Sequence, residues 1–134
     1  MNEKIGIVVS DFNADITHLM LKVAEEHIKF LGGEITKVIR VPGAFEIPLG
    51  VKSLLGQVDG VATLGAVVEG ATDHDKIIAS TVAKKITDLS LECGKPVSLG
   101  VSGPKMTRAD AMKRSEGYAK RSVESVFKML RMKE

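Results

Sequence analysis

Apolar and polar positions along this chain follow two distinct patterns, which predict four strands and four helices. Short, nearly continuous apolar runs are typical of strands in a sheet that is covered on both faces. These runs are Lys4–Ser10, Gly60–Val68 and Pro96–Ser102, and a less cleanly patterned segment, Glu34–Val41, is predicted as the second strand. Between them, apolar residues recur at the i, i+3, i+4, i+7 spacing of amphipathic helices. The predicted helices run from Asp15 to Leu31, from about Ile47 to Leu55, from near His74 to near Gly94, and from Thr107 onward.

Particular residues mark the ends and the inner sides of these helices. Thr107 and Asp110 have the spacing of a capping box, which opens the last helix. Phe30 in the first helix and Phe127 in the last continue the apolar spacing, so we expect both to lie on core faces. Cys93, at the end of the third helix, is expected to be a packing residue rather than a nucleophile.

Strict alternation of strand and helix predicts parallel strands joined by right-handed crossovers. We therefore expect residues 1–134 to form a single domain. Its fold class would be α/β, a three-layer α/β/α sandwich around a four-stranded parallel sheet with flavodoxin-like winding. Ligands of such sheets bind beyond the carboxyl ends of the strands, so the strand-to-helix loops are where function is expected.

Composition and charge exclude several classes of protein. The 134 residues are 44% hydrophobic and 27% charged, as in a globular domain. The longest nearly apolar run, Val61–Val68, is far too short to span a bilayer, for which about 20 residues are needed. The beginning of the chain has no signal-peptide layout, which favours a cytoplasmic location. Lys105–Glu134 carries an excess of basic residues, which suits a solvated helix face better than a nucleic-acid site because no aromatic cluster accompanies it.

Known motifs for nucleotide and metal binding are missing from the sequence. It contains neither a G-x-G-x-x-G fingerprint nor a P-loop nor H-E-x-x-H. A single cysteine and three widely spaced histidines give no metal-ligand pattern, so no metal site is expected.

The predicted loops carry the candidate chemistry. Phe12, directly after the first strand, offers a flat ring for stacking on a planar heterocycle. Phe45 follows the second strand and could do the same, or could belong to the core. Gly70-Ala71-Thr72 leads into a helix start, which could help to bind phosphate, or Thr72 or Asp73 could simply cap the helix. His74 could exchange protons with a ligand near neutral pH, although an isolated surface histidine is often inert.

Four segments together resemble the 6,7-dimethyl-8-ribityllumazine synthase family in its short archaeal form. They are Phe12-Asn13 followed by Asp15-Ile16-Thr17, then Val41–Pro48, Leu64–His74, and Lys95-Pro96-Val97 leading to Gly100 and the basic last helix. The resemblance implies condensation of 5-amino-6-(D-ribitylamino)uracil with 3,4-dihydroxy-2-butanone 4-phosphate, without metal or redox cofactor. An amine attacks the ketone to form an imine, phosphate is eliminated, and the ring closes and dehydrates.

The resemblance also implies the roles of individual residues. Proton transfer would fall to His74, and phosphate clamping to Arg114, with Lys120 or Arg121 as a second cation. Leu99 would form the far wall of the pocket in place of a phenylalanine that many bacterial members have, and Glu69 replaces a residue that is often basic. The remaining substrate-binding residues would be Phe12, Asn13, Ala44, Phe45, Glu46, Ala66, Val67, Val68, Ala71 and Thr72.

Assembly and alternative functions complete the expectations. Members of the family form pentamers, in some cases twelve of them closed into an icosahedral shell. Sites are shared between adjacent subunits, so that a neighbour would supply Leu99 and Arg114. No nucleic-acid or membrane partner is expected. The alternatives are an archaeal-type riboflavin synthase, a non-catalytic flavin- or lumazine-binding module, and a basic RNA-binding domain.

Overall fold

A computed structural model describes residues 2–132, and its elements alternate as the sequence predicts. The strands are β1 (Lys4–Ser10), β2 (Glu34–Val41), β3 (Gly60–Ala66), β4 (Val97–Ser98) and β5 (Val101–Ser102). The helices are α1 (Ala14–Phe30), α2 (Ile47–Leu54), α3 (His74–Cys93) and α4 (Arg108–Met132). A short 3₁₀ helix, Ala44–Glu46, precedes α2. Strand β3 ends two residues earlier than predicted.

The strands form one parallel layer in the order β2-β1-β3-β4, and β5 pairs with the end of β3. This order confirms the α/β class and the flavodoxin-like winding. Side chains of β1 alternate between the two faces, with Ile5, Ile7 and Val9 in one core and Val8 in the other. Helices α1 and α4 cover the first face, and α2 and α3 cover the second.

The predicted fourth strand is split into β4 and β5 by Leu99-Gly100. The register against β3 is the same on both sides of the split. Between them, the hydroxyl of Thr63 takes the place of a backbone partner: its Oγ1 donates to the Ser98 carbonyl at 2.6 Å and accepts from the Gly100 N–H at 3.1 Å. The sheet therefore has five strands instead of the predicted four, because the Thr63 side chain interrupts the backbone hydrogen bonding between β3 and the predicted fourth strand.

The expectation that Phe30 lies on a core face is wrong. Phe30 is 81% exposed, because α1 presents the row Ile16, Met20, Ala24 and Ile28 to the sheet and Phe30 lies well around the helix from that row. Its ring instead stacks on the neighbouring His27 ring, 5.9 Å between centroids.

The expectation that Cys93 is a packing residue is also wrong, because Cys93 is exposed at the end of α3. By contrast, Phe127 is buried in the core, as predicted. The Thr107 hydroxyl accepts the Asp110 N–H at 3.1 Å, which confirms Thr107 as the cap of α4. None of the helices within residues 2–132 is long and apolar enough to cross a membrane.

Candidate active site

A cavity of about 340 Å³ opens at the carboxyl ends of β1, β2 and β3. This is the edge at which parallel sheets of this winding bind ligands, and the volume suits a small molecule. Three strand-to-helix loops and the start of α3 form the wall. The lining residues are Phe12, Asn13, Gly43, Ala44, Phe45, Glu46, Ala66, Val67, Val68, Gly70, Thr72, His74, Asp75 and Ile78.

The loop after β1 presents an aromatic ring to this cavity. The N–H groups of Asp11 and Phe12 donate to the carbonyls of Val41 and Pro42, which fixes the backbone of the loop against the end of β2. Asn13 then adopts the left-handed conformation, φ 63° and ψ 49°, which asparagine tolerates better than most residues. As a result the chain turns into α1 with the Phe12 side chain directed away from the core and 71% exposed.

The loop after β2 adds a second ring and a carboxylate. Oε1 of Glu46 accepts the Gly43 N–H at 2.9 Å across the 3₁₀ helix, which orients the carboxylate at the cavity wall. Phe45 is 59% exposed and lines the cavity, so the alternative that it belongs to the core is wrong. The side chain of Ala44 between them is buried.

The loop after β3 brings an imidazole to the same cavity. His74 is the first residue of α3 and is exposed, with Thr72 and Gly70 beside it in the lining. The preceding residue, Asp73, caps the helix with its backbone carbonyl, to which the N–H groups of Lys76 and Ile77 donate, and makes no side-chain cap bond. The ring of His74 is therefore accessible to a ligand at the start of a helix.

Asp75 is a lining residue that the sequence did not suggest. Its carboxylate is buried, and its Oδ2 accepts the Lys105 N–H at 3.0 Å, which ties the loop between β5 and α4 to the start of α3. The missed residues Gly43 and Gly70 carry no side chain to signal a role, although both lie inside segments that resemble the family. Ile78 lies on the apolar face of α3, and a residue at such a position is expected to pack rather than to line a site.

Three of the predicted site residues lie outside this cavity. Ala71 belongs to the third loop but is not part of the cavity lining, Leu99 is 51% exposed beside α3, and Arg114 is exposed on α4. Of the two candidates for a second cation, Lys120 is exposed, and the Arg121 guanidinium lies 5.2 Å from the centre of the Tyr118 ring.

Chemically, the cavity combines flat rings, one imidazole, two carboxylates that each accept a backbone N–H, and backbone groups at the ends of strands. Such a set can hold a planar heterocycle, bind hydroxyls and move protons. Within residues 2–132, histidine, cysteine and carboxylate side chains form no group of three or more that could hold a metal ion.

Comparison with known proteins identifies the family. The family model for 6,7-dimethyl-8-ribityllumazine synthase matches residues 2–134. The chain belongs to the lumazine synthase family. A 6,7-dimethyl-8-ribityllumazine synthase of Methanothermobacter thermautotrophicus is 57% identical over 130 residues, covering 96% of this chain and 93% of its own. Relatives of the same name from Staphylothermus marinus and Archaeoglobus fulgidus are 56% and 54% identical, covering 95% and 98% of this chain and 86% and 93% of their own.

Membership of the lumazine synthase family confirms the resemblance read from the four sequence segments. It makes the chain a transferase of riboflavin biosynthesis that uses small-molecule substrates. The riboflavin synthase, binding-module and RNA-binding alternatives have no comparable support.

Proposed function

We propose that the cavity described above is where this chain condenses 5-amino-6-(D-ribitylamino)uracil with 3,4-dihydroxy-2-butanone 4-phosphate. The products are 6,7-dimethyl-8-ribityllumazine, phosphate and water. The observation that carries the proposal is the convergence of Phe12, Glu46 and His74, from three separate loops, on one cavity. An aromatic surface, a hydroxyl acceptor and a proton carrier are the groups that this condensation requires.

The pyrimidine would bind against the exposed ring of Phe12, with Asn13 beside it. Ala66 ends β3 and Val67 and Val68 follow it, and backbone groups at this part of the cavity wall can bond the polar edge of the heterocycle. The ribityl chain would extend along the second loop, past Ala44 and Phe45. There the carboxylate of Glu46, held by the Gly43 N–H, can accept hydrogen bonds from hydroxyl groups.

The phosphorylated substrate would lie at the third loop. Ala71 and Thr72 precede α3, and the amino end of a helix attracts an anion. As the pyrimidine amine attacks the ketone and water leaves, an imine forms. Elimination then breaks the carbon–oxygen bond to phosphate, and ring closure with loss of water completes the lumazine. His74, exposed at the start of α3, would carry protons between these steps.

A homo-oligomer with shared sites would complete the pocket. Leu99 is exposed and lies outside the cavity, and Arg114 is exposed on α4, so both are available to a neighbouring subunit. In a pentamer, or a shell of pentamers, the neighbour's Leu99 would close the wall and its Arg114 would clamp the phosphate as a bidentate donor. We propose a cytoplasmic location for this assembly.

The test of the reaction is to mix the chain with both substrates and record the absorbance and fluorescence of the lumazine. His74→Ala is expected to slow turnover by roughly 10- to 100-fold with little change in KM. General acid–base groups contribute about 100-fold or more, but this condensation also proceeds slowly without a catalyst. His27→Ala is the matched control, since His27 pairs with Glu124 at 3.0 Å and does not line the cavity.

Two results would contradict the proposal. Conversion of lumazine to riboflavin would indicate a riboflavin synthase, and binding of lumazine without turnover would indicate a binding module. The assembly is tested separately by size-exclusion chromatography with light scattering. A fully active monomer would refute the shared site while leaving the reaction intact.

A further inference from the structure

The first residue of α4, Arg108, connects to the cavity loops without lining the cavity. Its Nη1 donates to Oδ1 of Asn13 at 2.8 Å, and its Nη2 donates to the carboxylate of Asp15. These contacts join the start of α4 to the loop after β1, although Arg108 and Asn13 are 95 residues apart along the chain. Arg108 is thus the residue through which α4 holds the loop that carries Phe12.

The amide of Asn13 has one orientation that satisfies both of its partners. Its Nδ2 donates to the Ala66 carbonyl at 2.9 Å, at the end of β3. Because a carbonyl only accepts and a guanidinium only donates, the nitrogen must face Ala66 and the oxygen must face Arg108. Without Arg108 the amide oxygen would lose its donor, and the side chain would be held at one end only.

Asn13 controls the direction of the neighbouring ring. It adopts the left-handed conformation and makes no side-chain hydrogen bond to α1. Its side chain instead bonds the end of β3 and the start of α4. Phe12 is 71% exposed, which means that little packing fixes its ring and that the backbone of the loop sets where the ring points. If the Asn13 side chain were held less firmly, the Phe12 ring would therefore be less ordered.

The charge on Asp15 strengthens this arrangement. The hydrogen bond from Arg108 lowers the pKa of the Asp15 carboxyl below its usual value, against a smaller opposing effect of desolvation. The Asp15 carboxylate, ionised at neutral pH as an aspartate ordinarily is, pairs with one guanidinium nitrogen of Arg108 while the other bonds Asn13.

We propose that Arg108 is a positioning residue for the condensation, acting through Asn13 to hold the Phe12 loop in the geometry that binds the pyrimidine. This inference rests on the proposed function, in which Phe12 stacks on the heterocycle. It assigns Arg108 no contact with substrate. Its effect is therefore specific to the pyrimidine and absent from the phosphorylated substrate, which would bind at the third loop.

The test compares Arg108→Ala, Arg108→Lys and the control Arg131→Ala by steady-state kinetics with each substrate varied in turn. Loss of a charge-assisted bond at an exposed site is expected to raise KM for the pyrimidine roughly 5- to 10-fold. The KM for the phosphorylated substrate and kcat should change less than about 2-fold. Arg108→Lys keeps the charge on a single nitrogen atom and is expected to restore part of the affinity. Arg131→Ala removes the ion pair between Arg131 and Glu3 at the far end of α4 and should change neither KM.

A second measurement separates this inference from the reaction itself. The dissociation constant of 6,7-dimethyl-8-ribityllumazine, followed by its fluorescence, should rise with Arg108→Ala by a similar factor even if the wild-type chain showed no turnover. In an Asn13→Ala background, Arg108→Ala should add little, because both act through one link. An unchanged pyrimidine KM, equal changes for both substrates, or additive effects of Arg108→Ala and Asn13→Ala would each overturn the proposal.

Discussion

Replacing Thr63 with valine tests how the split between β4 and β5 is stabilised. Thr63 is fully buried in β3, and its hydroxyl bonds both the Ser98 carbonyl and the Gly100 N–H. Valine has nearly the same shape but no hydroxyl, so the substitution changes hydrogen bonding with little change in packed volume. Ser122, whose Oγ donates to the Thr63 backbone carbonyl at 2.9 Å, keeps that partner.

The expected cost follows from the two groups that lose their partner. A buried polar group left unsatisfied costs about 1–3 kcal/mol, so two of them cost about 2–6 kcal/mol. Gly100 has little freedom to move toward another partner, since a Cβ built on it would lie 2.1 Å from the Thr63 carbonyl and 2.7 Å from Ser122. A loss of this size is a large share of the total stability of a domain, typically about 5–15 kcal/mol.

The assay is equilibrium denaturation of wild type, Thr63→Val and Thr63→Ser at one protein concentration, because association shifts apparent stability by mass action. Serine keeps the hydroxyl and loses a methyl group, which costs about 1 kcal/mol. Thr36→Val, on the exposed side of β2, controls for the substitution itself and should stay within about 0.5 kcal/mol. If Thr63→Val were no more destabilising than Thr63→Ser, the hydroxyl would not be what maintains the split.

Two further predictions concern charged side chains. Arg114→Ala should raise KM for the phosphorylated substrate by about 10-fold or more and leave the pyrimidine KM nearly unchanged, and Lys113→Ala is the neighbouring control. Equal changes in KM for both substrates would show that Arg114 does not bind the phosphate. The hydrogen bond from Arg131 lowers the pKa of the Glu3 carboxyl below its usual value. The ionised pair therefore stabilises the fold near neutral pH, and this contribution is lost as pH falls through the lowered pKa. Glu3→Gln should therefore lower Tm at pH 7, and the difference from wild type should close on acidification; a constant difference across that range would contradict the reasoning.

The elements that the sequence predicted best are those whose pattern depends on local geometry. Strand β1 has the predicted bounds because a strand covered on both faces must be apolar along its length. Strand β2 also has the predicted bounds, although its pattern is half polar and only its last residue is buried. Thr107 was recognised because a cap is formed within one turn of helix. In the same way, Phe12, Phe45 and His74 could be located because strand ends in a parallel sheet meet at one edge.

What the sequence could not predict depends on contacts between distant residues. Phe30 fits the helical spacing as well as Ile28 does, and only the packing of α1 on the sheet decides which of them is buried. The split after Ser98 arises from the side chain of Thr63 on another strand. Arg108 lies far from the Phe12 loop in sequence, and nothing in its local pattern indicates that it bonds Asn13.

The split between β4 and β5 also has a consequence for unwanted association. These two short strands form one open edge of the sheet, and a long straight edge strand is a template onto which another chain can add. Here the strands have two residues each, and Leu99-Gly100 between them breaks the ladder. An incoming strand therefore meets no long row of aligned backbone groups, and we expect this edge to resist amyloid-like stacking even when many copies are concentrated together.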